Sequence, residues 1–82
     1  MNGATTPLCR AIFNGNEPIA LMLLEKGADI DGVTKKTGRS PLMWAAFRGN
    51  LQMTELLLER GADKELMDHE GLNCFDIAVI RL

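Results

Sequence analysis

Tyrosine is absent from this chain, histidine occurs once (His69) and serine once (Ser40). A nucleophile, a base and an orienting group are hard to assemble from such an inventory. No apolar run approaches the roughly 18 residues that would span a bilayer. Met1–Thr6 is too polar for a secretory signal. The expected location is therefore intracellular, in cytoplasm or nucleus, with no membrane partner. Only two cysteines occur, Cys9 and Cys74, far apart and inside helix-like segments. They form no disulfide framework and suit a reducing compartment. Charge of one sign is also lacking: the formal net charge is −2, which gives no general attraction to nucleic acid or anionic lipid. With 82 residues the chain makes one domain at most, burying only about 60–65% of its unfolded surface, so marginal stability is expected.

What the chain does have is repetition. Thr6-Pro7-Leu8 recurs as Ser40-Pro41-Leu42, Gly15-Asn16 as Gly49-Asn50, and Leu23–Asp29 as Leu57–Asp63, all at an offset of 34. A weaker third copy begins at Gly71, with Asn73-Cys74-Phe75 in the place of Thr-Pro-Leu. One offset shared by separate landmarks marks a repeat architecture.

Each copy reads as two helices and a turn. Thr6 and Ser40 are N-caps, since a hydroxyl accepts from the free amides of a first turn. Pro7 and Pro41 follow at the first helical position, where a missing N–H costs nothing. Gly15 and Gly49 close these short helices, and Asn16 and Asn50 cap the next ones. Ile19, Ala20, Leu23 and Leu24 make an apolar stripe at helical spacing, repeated by Met53, Thr54, Leu57 and Leu58. Gly27 and Gly61 stop the second helices. The polar stretch that follows, with Gly38 or Gly71, reads as a β-turn finger. Gly27 to Gly38 is 11 residues and Gly61 to Gly71 is 10, so the first finger carries one extra residue, within Thr34–Thr37.

Gly38-Arg39-Ser40-Pro41-Leu42-Met43-Trp44-Ala45-Ala46, Gly49-Asn50 and the two Leu-Leu-x-x-Gly-Ala-Asp segments resemble the ankyrin repeat family over nearly the whole chain. The resemblance implies an all-α solenoid of stacked antiparallel helix pairs with projecting β-turn fingers. It divides a single array over 1–82 into a repeat at 5–38, a second at 39–71 and a partial third at 72–82. It implies a non-catalytic protein–protein interaction module, a scaffold that binds through the concave surface of fingers and first helices. Phe13, Asn14, Phe47, Arg48, Ile80 and Arg81 match the exposed first-helix positions. Met67, His69, Glu70 and Leu72 match finger positions, and Lys35, Lys36 and Arg39 cluster around the first finger. Aromatic residues and arginine are the types enriched at such surfaces.

The sequence departs from the family where a loop-tying histidine is expected: Cys9, Met43 and Asp76 stand there, and looser loops are the expectation. Trp44 matches a core position, so a partly buried indole bridging helices, its N–H partnered, is expected. Asp68-His69-Glu70 holds possible metal ligands, but adjacent residues on a turn rarely converge on one ion; a solvated finger tip, no metal and no cofactor are expected. The cysteines read as packed side chains. Four basic residues with net acidity elsewhere fall short of a nucleic-acid footprint. The third copy reaches Leu82 without a second helix, leaving Phe75, Ile77, Val79 and Leu82 uncovered. A regulatory or targeting segment of a larger enzyme, channel or transferase, truncated here, is the alternative expectation, and self-association through the open C-terminal end is a further one.

Overall fold

A computed structural model describes residues 5–81, Arg81 through its backbone alone. Five helices follow in order: α1 (Pro7–Phe13), α2 (Glu17–Glu25), α3 (Pro41–Phe47), α4 (Leu51–Glu59) and α5 (Cys74–Arg81). No strand occurs among the described residues. α1 packs on α2 and α3 on α4, while α1, α3 and α5 line up as successive first helices.

Helices of 7–9 residues are too short to persist alone, so capping and packing must supply what length does not. The Thr6 hydroxyl accepts from the Cys9 N–H at 3.1 Å and the Ser40 hydroxyl from Met43 at 3.3 Å. Asn16 and Asn50 accept from Ile19 and Met53 at 3.4 and 3.1 Å. In the third copy Asn73 and Asp76 cap each other's backbone N–H groups, at 2.9 and 3.1 Å. Asp76, read above only as a departure from histidine, thus starts α5. Each such cap contributes about 1 kcal/mol.

Leu8, Ile12, Leu42, Met43, Ala45, Met53, Leu57 and Ile77 form the heart of one continuous core. The two apolar stripes differ in burial, and one expectation fails. Ile19 is 41% exposed although its equivalent Met53 is fully buried. Met53 lies inside the core shared by both helix pairs, whereas Ile19 lines an open groove beside Pro7 and Leu23; Ala20 takes the buried place on α2. Ile77, expected to be uncovered, is 2% exposed, because α5 turns this residue onto the core formed with α3. Phe75 and Val79 are exposed as expected, and Leu82 lies outside the described residues.

The extra finger residue falls where the glycine spacing puts it. Gly38 N–H donates to Thr34 O at 2.7 Å, a span of four residues, while Gly71 N–H donates to Asp68 O, a span of three. The longer turn is braced by the Thr34 and Thr37 hydroxyls, 2.8 Å apart. The fingers are tied rather than loose. His69 N–H donates to Thr37 O at 2.9 Å, and Asp63 N–H to Asp31 Oδ1 at 2.9 Å. The Cys9 thiol, at the position of the expected histidine, donates to Gly32 O at 3.5 Å, so sulfur replaces imidazole as the link between first helix and finger. Gly38 combines a positive φ of 73° with the His69 imidazole stacked over its Cα, so that a Cβ there would overlap ring atoms Cδ2 and Nε2.

Candidate partner-binding surface

Trp44 is where α1 and α3 meet on their outward side. Its ring stands edge-on to Phe13 of α1, with centroids 5.5 Å apart, and edge-on to Phe47 of α3 at 5.8 Å. The indole bridges helices as expected. Its N–H is buried, however, and has no hydrogen-bond acceptor among the described residues. Edge-to-face aromatic pairs add about 0.5–1.5 kcal/mol beyond their area burial.

Two guanidinium groups complete the cluster. Arg48, the C-cap of α3, lies over the Phe13 ring at 5.1 Å. Arg39 lies over Trp44 at 5.0 Å and Phe47 at 5.2 Å. An arginine over an aromatic face gains about 0.5–2 kcal/mol, more as water is excluded. Behind Arg39 sits Asp68, its carboxylate 3.5 Å from Arg39 Nε and its side chain 1% exposed. Asp68 Oδ1 accepts from the backbone N–H groups of Glu70 and Leu72, both at 2.9 Å. Burial pushes this carboxyl up, but the Leu72 and Glu70 amides and the Arg39 guanidinium outweigh it and hold its pKa below the ordinary value. The first residue of Asp68-His69-Glu70 is therefore no solvated finger tip. It is the buried counter-ion of Arg39, a role visible only once the fingers are stacked.

The residues expected at the surface separate into groups. Phe13, Phe47, Arg39 and Arg48 come together around Trp44. Of these, Arg39 is committed inside the chain, between Asp68 and two rings. Asn14 is exposed at the end of α1, and Lys35 and Lys36 are exposed on the first finger turn. Met67 is 64% exposed. His69 packs over Gly38 with one side still open to solvent, Glu70 is exposed, and Leu72 is half-buried against the core. The Arg81 side chain lies outside the described residues. Sequence reasoning placed Trp44 in the core and gave Asp68 no role at this surface. Both belong to it structurally, as the platform under the aromatic rings and the anchor of Arg39.

Cys9 and Cys74 are both buried, and burial raises each thiol's pKa above its ordinary value. Cys9 faces the Gly32 carbonyl and Cys74 the Lys64 carbonyl. Among the described residues no three His, Cys, Asp or Glu side chains converge as metal ligands. No helix among them is long and apolar enough to cross a membrane.

Helix pairs stacked through their first helices and joined by turn fingers define a helical repeat protein. A family model described as ankyrin repeats, three copies, matches residues 1–68. The chain belongs to the ankyrin repeat family, whose members are generally protein–protein interaction modules and generally non-catalytic. No curated protein matches it.

Proposed function

We propose that this chain holds a segment of another protein against the face built by Phe13, Trp44, Phe47 and Arg48, with Lys35, Lys36 and Met67 on the fingers beside it. The observation that carries this reading is the aromatic trio fixed edge-to-face across α1 and α3 with Arg48 laid over Phe13. Rigid aromatic and arginine side chains that are ordered before binding lose little entropy when a partner arrives. The cations Arg48, Lys35 and Lys36 favour acidic groups in that segment, and the rings favour apolar ones. The surface performs no chemistry; its mechanism is complementarity, which gives specificity and a fast on-rate more than raw affinity. Asn14, His69, Glu70 and Leu72 form the margin of the same surface.

The test uses peptides selected from a random display library against the intact chain. Trp44, the single tryptophan, reports their binding by fluorescence. Selected peptides rich in acidic and apolar residues should bind the parent chain and lose about tenfold or more in affinity to a Phe47→Ala/Arg48→Ala double variant that still folds. Equal affinity for parent and variant would remove this surface from the account.

A further inference from the structure

The guanidinium of Arg39 is fixed on one side and open on the other. It lies 5.0 Å from the Trp44 ring centroid and 5.2 Å from that of Phe47. Asp68 approaches its Nε at 3.5 Å, too far for a good hydrogen bond. Nε is buried and finds no acceptor among the described residues, and Trp44 Nε1 beside it is in the same state. The two Nη groups likewise have no acceptor among the described residues, but they are not buried, and the side chain keeps 18% exposure. Donors outnumber acceptors in this cluster. Asp68 cannot turn to correct that, because its Oδ1 is held at 2.9 Å by the amides of both Glu70 and Leu72.

We propose that the open edge of Arg39 takes one side-chain carboxylate of the partner segment, paired through both Nη groups. This rests on the aromatic face being a protein-binding surface, and it names the contact that sets the specificity of that surface. A planar guanidinium matches a carboxylate with two parallel hydrogen bonds, and such charge-assisted bonds strengthen where water is excluded, as beside two rings. The rings and Asp68 hold the guanidinium in place before the partner arrives, so little ordering is lost on docking. Asp68 already offsets part of the Arg39 charge, so one added negative charge is balanced there and a phosphate dianion is not. The residue next to the carboxylate is apolar, because Trp44 and Phe47 flank the site.

Peptides selected from a random display library on the intact chain serve as probes, N-acetylated and C-amidated so that only side chains supply an acid. They should share an Asp or Glu beside an apolar residue. Replacing that acid by its amide should weaken binding, followed by Trp44 fluorescence, by about tenfold or more. Arg39→Lys keeps the charge but loses the fork, and should cut this preference to about threefold or less. A purely structural role for Arg39 would weaken acid and amide peptides equally, and that result overturns the proposal. Asp68→Asn removes the competing carboxylate and should tighten the acid peptide several-fold but not the amide one, which decides the matter if Arg39→Lys does not fold. Unchanged or weaker acid-peptide binding by a folded Asp68→Asn chain also overturns it. Phosphoserine in place of the acid should bind no tighter; binding about tenfold tighter would make the ligand a phosphate and overturn the carboxylate assignment. Peptides that show no acid preference, yet are lost on Phe47→Ala/Arg48→Ala, would leave the face standing and remove this contact alone. No responding peptide at all would overturn face and contact together.

Discussion

Arg39 and Asp68, which belong to successive fingers, meet at 3.5 Å with the carboxylate buried, and the same guanidinium lies over Trp44 and Phe47. One side chain thus joins the stacking of the fingers to the aromatic face of the first helices. The binding surface proposed here is therefore coupled to the packing of the repeats that carry it.

Asp68→Asn keeps an acceptor for the Glu70 and Leu72 amides but removes the charge facing Arg39. It should cost about 1–3 kcal/mol in denaturant unfolding, below the figure for a fully buried pair because Arg39 retains contact with water. The sign with pH follows from the lowered pKa of Asp68. Its contribution is complete above the unfolded carboxyl's ordinary value of 3.8 and is lost as pH falls through the lower folded value. Melts between pH 7 and pH 2 should show the gap between parent and variant narrowing only below about pH 4. A gap that is constant down to pH 2 would detach the ion pair from stability.

Gly38→Ala places a Cβ both in a left-handed conformation and against His69. It should destabilise by more than the ~1–2 kcal/mol of the backbone term alone. Pairing it with His69→Ala should recover the steric part, so a double-mutant cycle should give a coupling energy on the order of 0.5–3 kcal/mol in the favourable direction. Additive losses would show that the imidazole does not press on this turn.

Leu42 and Phe75 hold equivalent positions in successive first helices, one 1% and the other 58% exposed. Leu42→Ala should cost about 2–5 kcal/mol. Phe75→Ala, which opens no cavity, should cost less than about 1 kcal/mol. Urea melts of the two variants compare them directly; equal losses would mean that Phe75 is as covered as Leu42 in solution.

Much of this architecture was legible because its rules are local. Thr6, Ser40, Asn16 and Asn50 cap residues three positions away, so composition and spacing alone identify them. The glycine spacing likewise located the extra residue of the first finger. Pairings between residues distant in sequence were not legible. Asp68 looks solvated in Asp-His-Glu-Gly, and only the stacking distance brings it under Arg39. His69 over Gly38 depends on the same stacking, whereas the Cys9 thiol finds the Gly32 carbonyl 23 residues on, within one copy. The periodicity of Ile19 gives an apolar stripe but not which flank of it meets a neighbour. That the Trp44 N–H finds no acceptor among the described residues is likewise not revealed by spacing. The aromatic and arginine residues of the proposed surface were visible as types; their mutual contacts required the fold.

The most direct test of the central claim is the side-chain and amide NMR map of the chain bound to a display-selected peptide, with the Trp44 indole N–H as reporter. The account predicts that the indole signal shifts together with the amides of Phe13, Phe47 and Arg48, while those of Glu55 and Glu59 on α4 stay in place. Shifts confined to α2 and α4, with the indole signal unmoved, would contradict it.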